Sequence, residues 1–497
     1  MSASGGEGTK HGRGPYRESD GVKDGVNGGI GHGIDDAIDD AIDDGVEEAL
    51  ALVGRQARGP QTPHRDPERG GRPGPEAAGR QSRPAMPWPQ ARRLAARTGR
   101  EAGARRTTGS SPAEGPAGVD GVRRVPLAQA VGLVLAEELT ALCDLPSFDT
   151  SAMDGWAVAG PGPWTVDREA PVLAGLGDAP ALPDGAAVRI ATGARIPPET
   201  TAVLRSEHAR TDPDQRQLSA DRRVVPGQDI RPRGQECRSG DRLLPVGTVV
   251  TPVVLGLAAA AGYDEVAVVS RPRVEVLVLG DELLGEGLPH DGLIRDALGP
   301  LLAPWLRLVG AEVIATRRLG DDAGALHRAV TGTKADLLLT TGGTAAGPVD
   351  HVHRVLARAG AELLVDSVAV RPGHPMLLAE LPAKGKGGAR HLVGLPGNPL
   401  AAVSGLLTLA GPVLRGLAGL PDPDPYTAPV RDEIPGHPHD TRLVPIVHHD
   451  ELLVPLRFSG PAMLRGVAAA DGLAVVPPGG ARPGDELEVL DLPWSPC

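Results

Sequence analysis

The chain has 497 residues, too many for one core, and its two Phe, three Tyr and five Trp against 68 Gly and 50 Pro mean cores built from aliphatic side chains. A net charge of −12 excludes a nucleic-acid binder that works by broad phosphate neutralisation. Cys143, Cys237 and Cys497 follow no paired spacing, so neither a disulfide framework nor a zinc site is expected, and the cytoplasm is the natural compartment.

No apolar run reaches bilayer length, which excludes a membrane span, and the opening MSASGGEGTKHGRG lacks the apolar core of a secretory signal. In GIDDAIDDAIDDGVEEAL, Ile34, Ile38, Ile42, Val46 and Leu50 stand four apart between paired acids. That spacing permits a short helix that recruits a partner, but unbalanced like charge favours a solvated acidic tail. The Pro-, Gly- and Arg-rich stretch after it reads as a linker to about residue 84.

PWPQARRLAAR has helical spacing, and RRVPLAQAVGLVLAEEL predicts a strand followed by a helix. From about Leu145 to Val225, short apolar runs broken by Gly and Pro predict a small β-rich unit. RLLPVGTVVTPVVLGLAAAAGYDEVAVV returns to helix and strand, so the β unit is inserted into the preceding one. From Arg273 to Leu417, apolar runs RVEVLVLG, AEVIATRRL, ADLLLTTGG and HLVGLPG alternate with helical stretches, the pattern of a parallel sheet covered on both faces. Short strands and turns follow Pro421.

Ligands of open parallel sheets bind beyond the carboxyl ends of the strands, so the residues after each run matter most. Thr341-Gly342-Gly343, continuing to Gly347, precedes a helix expected near Pro348; Pro396-Gly397-Asn398-Pro399 precedes another, with Asn398 as cap and Pro399 at the first helical position. Glycine lets a backbone approach a phosphate, and a helix start offers free N–H donors. Asp281-Glu282 suits either Mg²⁺ and acid–base work or simple decoration of a helix start, and Asp296 shares that ambiguity. Asp154 beside Gly155, and Thr192 in ATGA, read by themselves as turn residues. His351 and His353, two apart on a helix, diverge and make poor co-ligands. Lys384 and Lys386 read as a solvated hairpin tip.

In order along the chain, DLPSFDTSAMDGWAV, AVRIATGARIP, IRPRGQECRSGDRLLPVGT, RPRVEVLVLGDEL, LLTTGGTAAGPVDHV, VAVRPGHP and LVGLPGNP resemble the molybdopterin molybdenumtransferase family, the bacterial MoeA and gephyrin E-domain group. The resemblance spans about Met86 to Leu492. It implies an α/β multi-domain fold: a three-layer molybdopterin-binding domain at 271–419, an inserted β domain at 146–225, a helix-and-strand linker and dimerisation domain at 85–145 and 226–270, and a C-terminal β-barrel-like domain at 420–497. It also implies a homodimer that hydrolyses adenylyl-molybdopterin with Mg²⁺, places molybdate on the dithiolene and releases AMP. By motif, Asp154, Thr192, Glu236, Glu282, Asp296 and Asp350 carry catalysis, with Glu282 and Asp350 near Mg²⁺. Asp154 and Thr192 come from the second subunit, and Glu236 stands where the family has Asp or Asn. Substrate binding falls to Thr341, Gly342, Gly343, Gly347, Arg371, Pro372, Gly373, His374, Pro375, Pro396, Gly397, Asn398, Pro399 and Arg442. Two family lysines are replaced by Arg371 and His374, a threonine by Leu279, an acid by Pro348 and a serine by Ala401. These replacements motivate a second reading, a non-catalytic carrier or regulator that binds the pterin.

Overall fold

The computed structural model describes residues 84–107, 121–166, 171–175, 180–212, 214, 216–344, 351–383 and 389–495. The acidic segment, Lys384, Lys386, Gly347, Pro348, Asp350 and Cys497 lie outside them.

Helix α1 (Trp88–Thr107) opens the described chain as its spacing predicts. The helix expected in AQAVGLVLAEEL does not form. A single turn at Leu127–Gln129 gives way to Gly132 at φ +75 and then to short strands at Val134–Leu135 and Leu139–Thr140. Gly132 breaks the helical run, and Leu133, Leu135 and Leu139 bury against Val250, Val266 and Val268 instead. The inserted unit forms a six-stranded sheet, in the order 209–212, 217–220, 164–166, 186–190, 155–158 and 202–205. A helix at Pro252–Ala260 and a strand at Glu265–Val269 follow as expected.

From residue 273 the chain alternates as predicted: β1 (Arg273–Leu279), α2 (Leu298–Leu308), β2 (Glu312–Leu319), α3 (Ala323–Gly332), β3 (Leu337–Thr341), α4 (Val352–Ala359), β4 (Glu362–Asp366), β5 (Val368–Arg371), β6 (Leu377–Leu381), β7 (Arg390–Leu395) and α5 (Pro399–Leu417). Six of these strands form one sheet in the order β2-β1-β3-β7-β6-β4. The first four run parallel, β6 reverses against β7, and β4, antiparallel to β6, runs with the first four again. Side-chain alternation explains the two covered faces. Val274, Val276, Val278, Leu337, Leu339, Val393 and Leu395 face one core with α2 and α5, whereas Leu277, Leu338 and Leu392 face the other with α3 and α4.

β5 leaves this sheet. It pairs in parallel with Met86–Pro87 on one side and with β9 on the other, within a seven-stranded sheet that includes β8 (Tyr426–Pro429), β9 (Thr441–His449), β10 (Leu452–Pro455), β11 (Gly472–Val476) and β12 (Glu486–Asp491). The RPGHP segment is thus shared between the α/β and C-terminal layers, a link that strand counting along the sequence does not anticipate.

Helix α5 overturns the expectation that no apolar run is long enough to cross a bilayer: by length and composition it is, yet 78% of it is buried inside the protein. It packs between the parallel sheet and α1. A π-bulge at Leu406–Ala410 interrupts it, and α1 occupies the irregularity: Arg92 Nη1 donates to Leu407 O at 3.2 Å and Trp88 Nε1 to Thr408 Oγ1 at 2.9 Å. Further along, the two helices touch backbone to backbone, where a Cβ on Gly103 would lie 2.3 Å from Gly416 O.

Candidate functional site

Because β1, β3 and β7 are parallel, their carboxyl ends share one rim, with Val278 paired to Thr341 and Thr341 to Leu395. The two glycine turns meet there. Gly342 N donates to Leu395 O at 2.9 Å, and a Cβ built on Gly397 would sit 3.7 Å from Gly342 Cα. Gly342 and Gly343 adopt φ of +75 and +65, a left-handed pair that side-chain-bearing residues resist. Thr341 is buried at the end of β3, while Gly343, Gly397 and Asn398 are exposed. Among the described residues, the N–H groups of Gly343, Thr344, Gly397 and Asn398 have no protein acceptor. Clustered unused amides of this kind make an anion-binding concavity.

Three expectations about these turns need correction. The start of α5 is not free, because Leu400 N and Ala401 N donate to Pro461 O at 2.9 and 3.3 Å. Asn398 occupies the cap position with Pro399 after it, but its side chain makes no capping bond. The helix after the TTGG turn runs Val352–Ala359 rather than from near Pro348. The donors this rim can offer an anion are therefore turn amides more than helix starts.

The acids at the end of β1 do not decorate a helix, since the next one begins at Leu298. Asp281 Oδ2 accepts from Asp321 N at 3.3 Å, whereas the side chain of exposed Glu282 has no hydrogen bond or ion pair among the described residues. Asp296 plays a different part. It is buried, pairs with Arg318 at 2.5 Å and accepts from Gly299 N at 2.8 Å, so it anchors the entry to α2. No group of three His, Cys, Asp or Glu side chains among the described residues is placed to hold a metal. One free carboxylate does fit Mg²⁺ in its usual mode, shared with substrate phosphates and water. His353 Nε2 contacts Asp366 at 2.6 Å and His351 Nδ1 contacts Arg354 at 2.7 Å, so each histidine has its own partner.

Arg371, Pro372, Gly373, His374 and Pro375 cross from β5 toward α5, where a Cβ on Gly373 would lie 3.3 Å from Ala401 O. Arg371 is in register with Arg442, placing two guanidinium-bearing residues side by side. His374 Nδ1 is buried without a partner.

Asp154 and Thr192 are brought together by adjacent antiparallel strands, with Thr192 N donating to Asp154 Oδ1 at 2.8 Å. Glycine follows Asp154 because a Cβ on Gly155 would meet Leu204 O at 2.1 Å. Glu236 lies apart on an exposed turn, its N–H bonded to Leu145 O at 2.9 Å. Burial first, then the neighbouring Glu236 carboxylate, pushes the Cys237 thiol up. Among the described residues, no hydrogen bond or ion pair joins Asp154, Thr192 or Glu236 to the glycine-turn rim.

A cavity of about 1190 Å³ lies elsewhere and includes none of these candidates; Trp88, Arg92, Trp305, Arg415 and Tyr426 are among its walls. It is the groove between α1, the end of α5 and the C-terminal sheet. The glycine-turn rim is the better candidate because the donors and the free carboxylate converge there.

Three family models match in tandem: the MoeA N-terminal region (domain I and II) at residues 100–262, the probable molybdopterin binding domain at 275–416 and the MoeA C-terminal region (domain IV) at 427–492. Molybdopterin molybdenumtransferase 2 of Mycobacterium tuberculosis (strain H37Rv) is 35% identical over 393 residues, covering 74% of this chain and 94% of that protein. The chain belongs to the molybdopterin molybdenumtransferase family. A second member, the molybdopterin molybdenumtransferase of Bacillus subtilis (strain 168), is 31% identical over 402 residues, covering 75% and 92%. A solved molybdopterin biosynthesis MoeA protein from Pyrococcus horikoshii OT3 shares the fold, with a TM-score of 0.64 at 23% identity over 82% of this chain and 99% of that one. The family's molybdopterin binding model includes the glycine turns, Glu282 and Arg371.

Proposed function

We propose that this protein inserts molybdate into adenylyl-molybdopterin and releases AMP, yielding molybdenum cofactor in the cytoplasm. The observation that carries the reading is the convergence of unused backbone donors at Gly343, Thr344, Gly397 and Asn398 on one rim, beside the free carboxylate of Glu282. Family membership supplies the substrate class.

In this reading the turn amides hold the pterin phosphate and orient the phosphoanhydride. Glu282 and Asp350 would hold Mg²⁺ together with substrate oxygens, and the ion would supply charge to offset the phosphates. Water adds at the pterin-side phosphorus, its bond to the bridging oxygen breaks, and that oxygen leaves with AMP while molybdopterin keeps its own phosphate. Arg371 and Arg442 present fixed cationic forks suited to an oxyanion, molybdate, near the dithiolene. Residues 271–419 grip the pterin, and residues 146–225 of a second copy supply Asp154 and Thr192. Among the described residues Asp154 and Thr192 bond to each other and not to the rim, which leaves them available to the site of a second copy in a homodimer. Asp296, tied to Arg318, positions the loop after Glu282 rather than acting on substrate.

The test supplies purified protein with adenylyl-molybdopterin and Mg²⁺, with and without molybdate. Molybdate-dependent AMP release is the expected result. No release above a blank removes the proposal, and tight pterin binding without release would point to the carrier reading instead.

A further inference from the structure

We infer that Asp440 is a positioning residue for Arg371, and that the pair, not Arg371 alone, sets the affinity for the molybdate oxyanion. The inference rests on the proposed reading of Arg371 as an oxyanion holder.

Asp440 is buried in the turn just before β9, where an unpaired carboxylate would be costly. Its Oδ2 accepts from Arg371 Nε at 3.0 Å. That contact uses one edge of the guanidinium and leaves Nη1 and Nη2 of Arg371 without acceptors among the described residues. A carboxylate bound at Nε restricts rotation about the end of the side chain and so aims the outer edge, which is the edge that grips an oxyanion in a fork.

Asp440 is itself held. His437 Nδ1 accepts from Asp440 N at 2.9 Å and from His439 N at 3.3 Å, closing a tight turn just before β9. His437 Nδ1 also stands 3.6 Å from Asp440 Oδ2, so the imidazole packs against the carboxylate and narrows its range. Arg442, in register with Arg371, is anchored through Nη1 to Pro435 O at 2.6 Å on the same turn. The turn 435–440 thereby fixes both arginines at once, and the bonds run from β9 through Arg371 to Gly373, packed on α5. None of the seven motifs contains His437 or Asp440.

The experiment measures AMP release against molybdate concentration for the full chain and for Asp440→Ala, Asp440→Asn, Arg371→Met and the double variant Asp440→Ala with Arg371→Met. Asp440→Ala is expected to raise the molybdate KM about 10- to 100-fold, the usual range for removing an outer partner of a binding group, with kcat changed about two-fold or less. Asp440→Asn keeps an oxygen for Nε and is expected to recover part of the loss; it also carries the test if the alanine variant does not fold. The double variant is expected to bind molybdate no worse than Arg371→Met alone. If Arg371→Met raises KM while both Asp440 variants keep the wild-type value, the positioning role is overturned and the Arg371 reading stands. If Arg371→Met itself keeps the wild-type KM, the reading falls and the inference falls with it.

Discussion

The crossing of α1 and α5 gives a sharp test of the packing described above. At Gly103 an added methyl would stand 2.3 Å from Gly416 O, and at Gly99 it would stand 2.4 Å from Val413 O. Ordinary carbon–oxygen contact needs roughly 3.2 Å, so either alanine forces the helices about 1 Å apart. Neither obstacle is a flexible side chain; both are carbonyls locked in α5. Overpacking of this kind costs about 1–3 kcal/mol. Removing a mid-helix glycine returns up to about 1 kcal/mol of helix propensity. The expected net for Gly103→Ala is therefore about 1–2 kcal/mol of destabilisation, and the Gly99→Ala, Gly103→Ala double variant should lose more than either alone. Urea unfolding followed by far-UV circular dichroism measures it, reading the midpoint at constant slope. An unchanged or higher midpoint in the double variant would show that the helices separate freely and that the close crossing does not fix α5.

Other outcomes follow from single features. Burial, then repulsion from Arg105, lowers the His391 ring to about 4. Glu380, only 3.6 Å away, would favour a charged ring, but for a side chain with 0% exposure desolvation dominates. The unfolded chain takes up the proton near 6.5 and the folded one only near 4, so stability is complete above 6.5 and declines between those values, by about 3 kcal/mol at most. His391→Leu should flatten that decline in urea titrations, and matching acid profiles for variant and wild type would refute the assignment. Arg318→Met leaves the buried Asp296 carboxylate without its cation and should destabilise by about 2 kcal/mol, discounted because Arg318 is 43% exposed. A melting temperature equal to wild type would restore Asp296 as a free catalytic acid. Glu282→Gln should abolish AMP release without altering the melting temperature, since that side chain holds no other group; retained turnover removes it from the mechanism. Mixed Asp154→Ala and Glu282→Gln subunits, each inactive alone, should recover about a quarter of wild-type turnover if sites are shared across a dimer. No recovery after subunit exchange would refute sharing.

The sequence displayed the parallel sheet clearly because Val274 to Leu279, Leu337 to Thr341 and Arg390 to Leu395 are short apolar runs ending in glycine turns, and both signals are local. It also placed both glycine turns on a common rim, since strands joined by helical crossovers run parallel. It misled at Ala128–Glu138, where helical spacing yielded to Gly132 and to burial against strands distant in sequence. Nor did it reveal that Pro461 fills the start of α5, or that Asp296 is committed to Arg318, because each partner lies many residues away. Asp440 carried no signal beyond an ordinary acid in a Pro- and His-rich turn; only the pairing of β5 with β9 brings it to Arg371. A trace of the helix crossing was present in Gly99 and Gly103, four apart in an otherwise Ala- and Arg-rich helix.

The bulge at Leu406–Ala410 amounts to one extra residue held in a helix, and its benefit appears only further along. Each α-helical residue turns the chain about 100° and advances it about 1.5 Å. Shortening the bulge by one residue would let the coil close normally and swing everything beyond it by that angle. Gly416 would then point away from α1 and present bulkier neighbours to Gly99 and Gly103. Length, more than identity, is thus the conserved quantity physics demands of this stretch: exchanges among Leu, Ala and similar aliphatics are tolerable, whereas one codon lost or gained would unseat the first helix from the protein.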